Sequence, residues 1–266
     1  VVCDTPSQAK AAWRELRRTR QSEEGVFVEQ ALRGWEVSVL CVTDGLRYAV
    51  LPPAQDHKAV DDGDVGPNTG GMGAFAPVPA LTADALGDVR RTILEPTLAG
   101  LRSEGIDYCG FLYLGLMRTE DGPKVLEYNA RLGDPEAEAV LPLLRGDLLA
   151  AMRECCDGTW DGAALPAEEQ YAVDVVLASG GYPGAYTAGH EIVGIDAVDP
   201  DALVFHGATR RDGGRLVTSG GRVLHVVALA DALDAAVARA YDNVGRIRFS
   251  GVHVRRDIGR RKACGA

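Results

Sequence analysis

The chain has no C-x-x-C pair, no H-E-x-x-H element, no apolar run long enough to span a membrane and no surplus of basic charge. Each absence removes a class of function. The six cysteines, at positions 3, 41, 109, 155, 156 and 264, lack the spacing of a zinc site or a disulfide framework and read as reduced, mostly packed thiols. The histidines are scattered, and His190, His206, His225 and His253 read as structural or surface groups rather than ligands. Nothing marks a covalent nucleophile. A membrane helix needs about 20 apolar residues, and neither such a run nor a signal peptide is found. A formal net charge of -10 argues against general binding to nucleic acid or anionic membranes. The expected compartment is the cytoplasm and the expected partners are small molecules. Any phosphate must then be met by local cations, metal and backbone.

What is present is globular: 266 residues, 46% hydrophobic and 25% charged, enough for two modest cores. Two segments carry the chemistry. In Glu127-Tyr128-Asn129-Ala130-Arg131-Leu132-Gly133-Asp134-Pro135-Glu136, strand alternation puts Glu127, Asn129 and Arg131 on one face and Leu126, Tyr128 and Ala130 on a packing face. A carboxylate and an amide oxygen two residues apart suit a hard cation such as Mg²⁺. Arg131 beyond them could clamp a phosphoryl or carboxylate oxygen. Asp134 as N-cap with Pro135 at the first helical position reads as a helix start. The alternative is an edge strand whose polar face meets only water.

The second segment is Gly66-Pro67-Asn68-Thr69-Gly70-Gly71-Met72-Gly73, preceded by Gln55-Asp56-His57-Lys58. Four glycines in eight residues let backbone amides converge on an anion. The plainer reading is a turn between strands.

Around these, the pattern predicts a helix from Thr5-Pro6 with Ala9, Ala12, Trp13 and Leu16 as its packing stripe. A polar stretch over 20–25 leads to a short strand over 26–29. A second strand runs from Glu36 through Val42, turning at Asp44-Gly45 into 47–51. A helix over 82–103 should be kinked or split by Pro96. A strand over 110–117 turns through Glu120-Asp121-Gly122 into the Glu127 strand, and helices are expected at 137–144 and 148–156. A break at 161–166 then precedes short strands at 172–177, 203–205, 216–218 and 223–228, with one helix over 231–244. Glu29 and Glu36, bracketing a short connector, could hold a purine and its ribose, although surface acids at strand ends remain the simpler reading.

With Gly180-Gly181-Tyr182-Pro183-Gly184, Val204-Phe205-His206, Gly220-Gly221-Arg222-Val223-Leu224 and Asp257-Ile258-Gly259, these segments together resemble glycinamide ribonucleotide synthetase, a phosphoribosylamine-glycine ligase of the ATP-grasp superfamily, over essentially the whole chain. The resemblance implies an α+β fold: an ATP-grasp large lobe, mostly antiparallel sheet with helices, plus a small C-terminal mixed β domain. The implied domains are 1–32, a remnant of the small lobe and hinge; 33–166, the large lobe with the metal and phosphate site; and 167–266, a C-terminal α+β domain. It further implies ATP and Mg²⁺ or Mn²⁺ as cofactors, with glycine and 5-phosphoribosylamine as substrates. Phosphorylation of the glycine carboxylate would be followed by displacement of phosphate by the amine, a reaction that relies on positioning rather than on a protein nucleophile.

By the same resemblance, Glu127 and Asn129 match the metal ligands, Glu29, Gln30, Ala31 and Leu32 the hinge that meets adenine, and Glu36 the acid on the ribose. Asp56, His57, Lys58, Pro67, Asn68, Thr69, Gly70, Gly71, Met72 and Gly73 match the surroundings of phosphoribosylamine and the transferred phosphate, with Lys58, Arg131 and Asp134 at the reacting groups. Two positions depart from the family pattern: Gln30 and Trp35 stand where acids are usual. The chain opens at Val1 where the family would already have passed its first domain, so we expect a C-terminal portion, inactive alone and a monomer when complete. Other ATP-grasp carboxylate-amine ligases, or a non-catalytic nucleotide-binding module from a truncated gene, are the competing readings.

Overall fold

The computed structural model describes residues 1–19, 26 and 28–260. Two compact units are found, Val1–Gly34 and Trp35–Ala266. In the first, helix α1 (Pro6–Thr19) opens on a capping box, Thr5 Oγ1 accepting from the Gln8 amide at 3.2 Å and Gln8 Oε1 from the Asp4 and Thr5 amides. Ala9, Ala12 and Leu16 are half-buried, while Trp13 is exposed beneath Arg17. The polar stretch 20–25 and Phe27 lie outside the described residues, and Val26, Val28 and Glu29 carry no regular structure, so no strand forms there among the described residues.

The second unit runs β1 (Trp35–Thr43), β2 (Tyr48–Val50), β3 (Gln55–Asp56), β4 (Ala59–Asp61), β5 (Val65–Asn68), β6 (Gly73–Ala76), α2 (Ala83–Val89), α3 (Glu95–Ser103), β7 (Gly110–Thr119), β8 (Gly122–Asn129), α4 (Glu136–Val140), α5 (Leu148–Asp157), β9 (Tyr171–Ser179), β10 (Leu203–His206), β11 (Thr209–Asp212), β12 (Arg215–Thr218), β13 (Arg222–Ala230), α6 (Leu233–Val244) and β14 (Val252–His253). A π-helical turn, Arg90–Leu94, separates α2 from α3 directly before Pro96. Proline lacks the N–H that would continue the α ladder and crowds the preceding turn.

Every strand pair is antiparallel. One sheet has the order β2-β1-β7-β8, and a larger one β10-β13-β9-β6-β3 with β14 also on β9. Period-two alternation divides β1 between two surroundings: Val37, Val39 and Cys41 face the main core, while Leu40 packs with Tyr113, Ala139 and Val140. The main core also takes Leu112, Leu114 and Leu116 from β7, Val173, Val175 and Leu177 from β9, and Ala236 and Val237 from α6. The main core thus spans both sheets, and the second cluster, with Leu40 and Tyr113, also takes Ala74, Ala76, Ala172 and Val227 from the larger sheet. The larger sheet draws β3 and β6 from before the 161–166 segment and β9, β10, β13 and β14 from after it.

Candidate active site

The Glu120-Asp121-Gly122 turn closes the β7–β8 hairpin and brings Glu127 opposite Gly115, where the missing side chain leaves room for the Glu127 stem. A bulge at Gly115/Leu116 precedes this pair. Asn129 Nδ2 donates to Glu127 Oε1 at 3.2 Å, so amide and carboxylate sit side by side as the alternation requires. Lys58 Nζ lies 3.7 Å from Glu127 Oε1 and 3.8 Å from Glu36 Oε2. Burial opposes the charge on Lys58, but Glu36, Asp56, Glu127 and Glu136 outweigh it and hold its pKa above the ordinary lysine value. Burial likewise pushes the Glu36 carboxyl up, against Lys58. Four carboxylates thus act on one ammonium, an excess of negative charge with oxygen donors. That donor set fits Mg²⁺ or Mn²⁺, which favour oxygen ligands.

The two-residue period does not extend to Arg131. The strand ends at Asn129, so the alternation stops before it, and the guanidinium donates instead to the Leu132 carbonyl at 2.8 Å. Leu126 and Tyr128, expected on a packing face, are exposed because β8 is the edge of its sheet. Asp134 does not cap a helix either: α4 begins at Glu136 with Pro135 in the cap position. The Asp134 carboxylate is drawn away by Arg222, whose Nη1 lies 2.8 Å from Asp134 Oδ1 and also donates to the carbonyls of Asp134 and Gly70. Glu136 anchors the start of the helix. Its buried Oε1 accepts from Ser38 Oγ at 2.7 Å and from Tyr113 OH at 2.8 Å, tying α4 to β1 and β7.

The glycine-rich segment forms β5, its turn and the start of β6. Four of its amides have partners within the chain. Thr69 donates to Lys58 O, Gly70 to Tyr182 OH, Gly71 to Thr69 Oγ1 and Met72 to His57 O. The glycines are needed for close approach instead: a Cβ on Gly71, at φ +119°, would run into the Pro135 ring and Asp56 Oδ1, and one on Gly73 into Asp174 O and Ile258. Met72 and Gly73 are buried, whereas Pro67 and Asn68 are exposed.

Asp56 Oδ1 is buried without a partner among the described residues, and burial followed by Glu136 pushes its carboxyl well up. The His57 ring is likewise interior, 6.0 Å from Phe75, with Nδ1 unpartnered among the described residues. Burial, then Arg255, lowers its pKa to about 4. Between pH about 6.5 and about 4 the unfolded chain therefore takes up a proton that the folded chain refuses, so this contribution is complete above 6.5 and lost as pH falls through that window. Integrated over the window, it amounts to about 3 kcal/mol. Urea unfolding at pH 7 and pH 4.5 should show a smaller loss on acidification for His57→Asn than for the parent chain.

Sequence reasoning missed Ser38, Tyr113, Tyr182 and Arg222 as site residues. Each acts from far along the chain, although Tyr182 and Arg222 lie in the glycine-marked runs 180–184 and 220–224 that stand out in the sequence. Glu29, Gln30, Ala31 and Leu32 belong to the first unit and have no regular structure.

The family model for phosphoribosylglycinamide synthetase, ATP-grasp (A) domain, matches residues 1–137, and that for its C domain matches 172–261. The chain belongs to the phosphoribosylglycinamide synthetase family. A phosphoribosylamine–glycine ligase of Chlorobaculum tepidum is 46% identical over 265 residues, 97% of this chain and 62% of that protein. A trifunctional purine biosynthetic protein of Gallus gallus is 50% identical over 241 residues, 90% of this chain and 24% of the relative. The crystal structure of the Thermotoga maritima phosphoribosylamine–glycine ligase superposes with a TM-score of 0.77 at 39% identity, covering 86% of this chain and 57% of that one. An L-amino acid ligase from Bacillus licheniformis, 16% identical with a TM-score of 0.61 over 93% of this chain and 60% of that one, shares the fold alone. The fold is therefore α+β of the ATP-grasp kind, and the chain spans about 60% of the length of its single-function relatives. Among the described residues, no helix is long and apolar enough to cross a membrane.

Proposed function

We propose that this chain supplies the metal and phosphoryl site of a phosphoribosylamine–glycine ligase, which joins glycine to 5-phosphoribosylamine with hydrolysis of ATP to ADP and phosphate. The observation that carries the proposal is the cluster of Glu127 and Glu36 around Lys58, with the Asn129 amide beside Glu127, within a chain of this family. In this reading Glu127 and Asn129 hold Mg²⁺ or Mn²⁺, which when bound neutralises charge on the phosphate oxygens. Lys58 steadies the transferred phosphoryl group, Glu36 takes the ribose hydroxyls, and Glu29 to Leu32 meet adenine. Arg131 and Asp134 face the reacting carboxylate and amine, with Arg222 holding the Asp134 turn. Asp56, His57 and the 66–73 segment shape the phosphoribosylamine side: Asn68 is available for direct contact, while the buried glycines keep the loop against Pro135. The functional division is 33–166 for the large lobe and 167–266 for the C-terminal domain, and the reaction is placed in the cytoplasm of a protein monomeric when complete.

The test is phosphate release by the polypeptide translated from the complete reading frame, given ATP, Mg²⁺, phosphoribosylamine and one acid at a time. Release should require glycine. Turnover driven by another carboxylate and not by glycine would replace this reading with that of a different ATP-grasp ligase. The 266-residue chain alone should release no phosphate under the same conditions.

A further inference from the structure

On the face of the larger sheet covered by α4, alternation directs two polar side chains inward: Asp174 from β9 and His225 from β13, both almost fully buried. Asp174 Oδ2 lies 2.8 Å from His225 Nδ1. A carboxylate accepts at that distance, so it fixes Nδ1 as the protonated nitrogen and turns the Nε2 lone pair outward. Nε2 lies 3.8 Å from Asp134 Oδ1, and one carboxylate oxygen each of Asp134 and Glu138 lies within 4.8 Å of a His225 nitrogen and of the other. Glu138 Oε2 and Asp174 Oδ1 are both buried with no partner among the described residues.

We infer that Asp134, Glu138 and His225 form a binding site for a borderline divalent transition-metal ion such as Zn²⁺, distinct from the Glu127/Asn129 site. Imidazole with carboxylates is a Zn²⁺ donor set, and a nitrogen ligand disfavours Mg²⁺. Asp174 provides the outer carboxylate that orients a metal-ligating histidine in such sites. Charge points the same way. Asp134, Glu138 and Asp174 bring three negative charges and Arg222 one positive, leaving two for a dication beside neutral His225. The inference does not depend on the ligase reading.

Cobalt serves as the probe, because its visible absorption reports ligand type. The 266-residue chain carrying Cys109→Ser, Cys156→Ser and Cys264→Ser, which removes the thiols exposed among the described residues together with that of Cys264, is titrated with CoCl₂ in excess Mg²⁺ and back-titrated with ZnCl₂. One Co²⁺ per chain is expected, without thiolate charge-transfer bands and displaced by Zn²⁺. Asp174→Asn leaves every direct ligand in place and should weaken binding about 10–100-fold. His225→Ala should abolish the spectrum, and Glu138→Gln, near-isosteric, should weaken binding even if the histidine variant folds poorly. Glu127→Gln, at the other metal site, should leave this Co²⁺ spectrum and its affinity in excess Mg²⁺ as in the parent. Binding unaltered by Glu138→Gln and Asp174→Asn, or abolished by Glu127→Gln, would overturn the assignment. So would failure of any Co²⁺ to bind in excess Mg²⁺.

Discussion

Glu127→Gln, in the polypeptide from the complete reading frame, should lower the proposed ligase kcat by about 100–1000-fold, the loss usual when one preorganised electrostatic contact to a developing charge is removed. The substitution keeps shape and hydrogen-bonding capacity but deletes the charge meant for the metal. Nothing in the fold requires that charge: the Glu127 side chain is 53% exposed and its ion pair with Lys58 is long at 3.7 Å. Exposed pairs of this kind contribute about 0–1 kcal/mol, so the thermal midpoint should barely move. Phosphate release against Mg²⁺ concentration, together with a thermal melt, separates the two effects. A variant that melts normally and turns over like the parent would remove Glu127 from the metal site.

Gly71→Ala is the second large effect, in stability rather than rate. Its φ of +119° is one that side-chain-bearing residues rarely adopt, and the new methyl would meet Asp56 Oδ1 at 2.7 Å as well as the Pro135 ring. Neither neighbour yields easily, since Pro135 is rigid and Asp56 is held by its pairing with Ala74. Backbone strain alone costs about 1–3 kcal/mol, and the overlap adds to it. Gly87→Ala is the matched control: inside α2, with no atom within 4 Å of the added methyl, it should stabilise by about 0.5–1 kcal/mol through helix propensity. Urea unfolding of both variants and the parent measures the opposite signs. Equal effects would mean that Gly71 is a plain turn residue.

These two residues also mark where sequence reading succeeds and where it misleads. Glu127 and Asn129 were legible because the hairpin is local: a turn at 120–122, a two-residue period and two oxygen-bearing side chains in phase. The helix pair around Pro96 was legible for the same reason. Gly71 sits in a segment recognised as special, yet the special feature is close packing, not open amides. The reading of Arg131 extended the period two residues too far, and the reading of Asp134 as a helix cap overlooked a cation supplied by residue 222.

His225 shows the limit most clearly. In the sequence it is one scattered histidine among others, with the bland reading the natural one. Its tautomer and its acidic neighbours come from β9, α4 and the 134 turn, which the sequence places 51, 87 and 91 residues away. By itself, the sequence determined the local periods, the turns, the helix break at Pro96, the acidic balance and the family. Tertiary structure decided which polar groups are buried, which donors are already spent and which charges lack a counterion. Those are sums over neighbours brought together by sheet pairing across the whole chain, and no window of adjacent residues contains them.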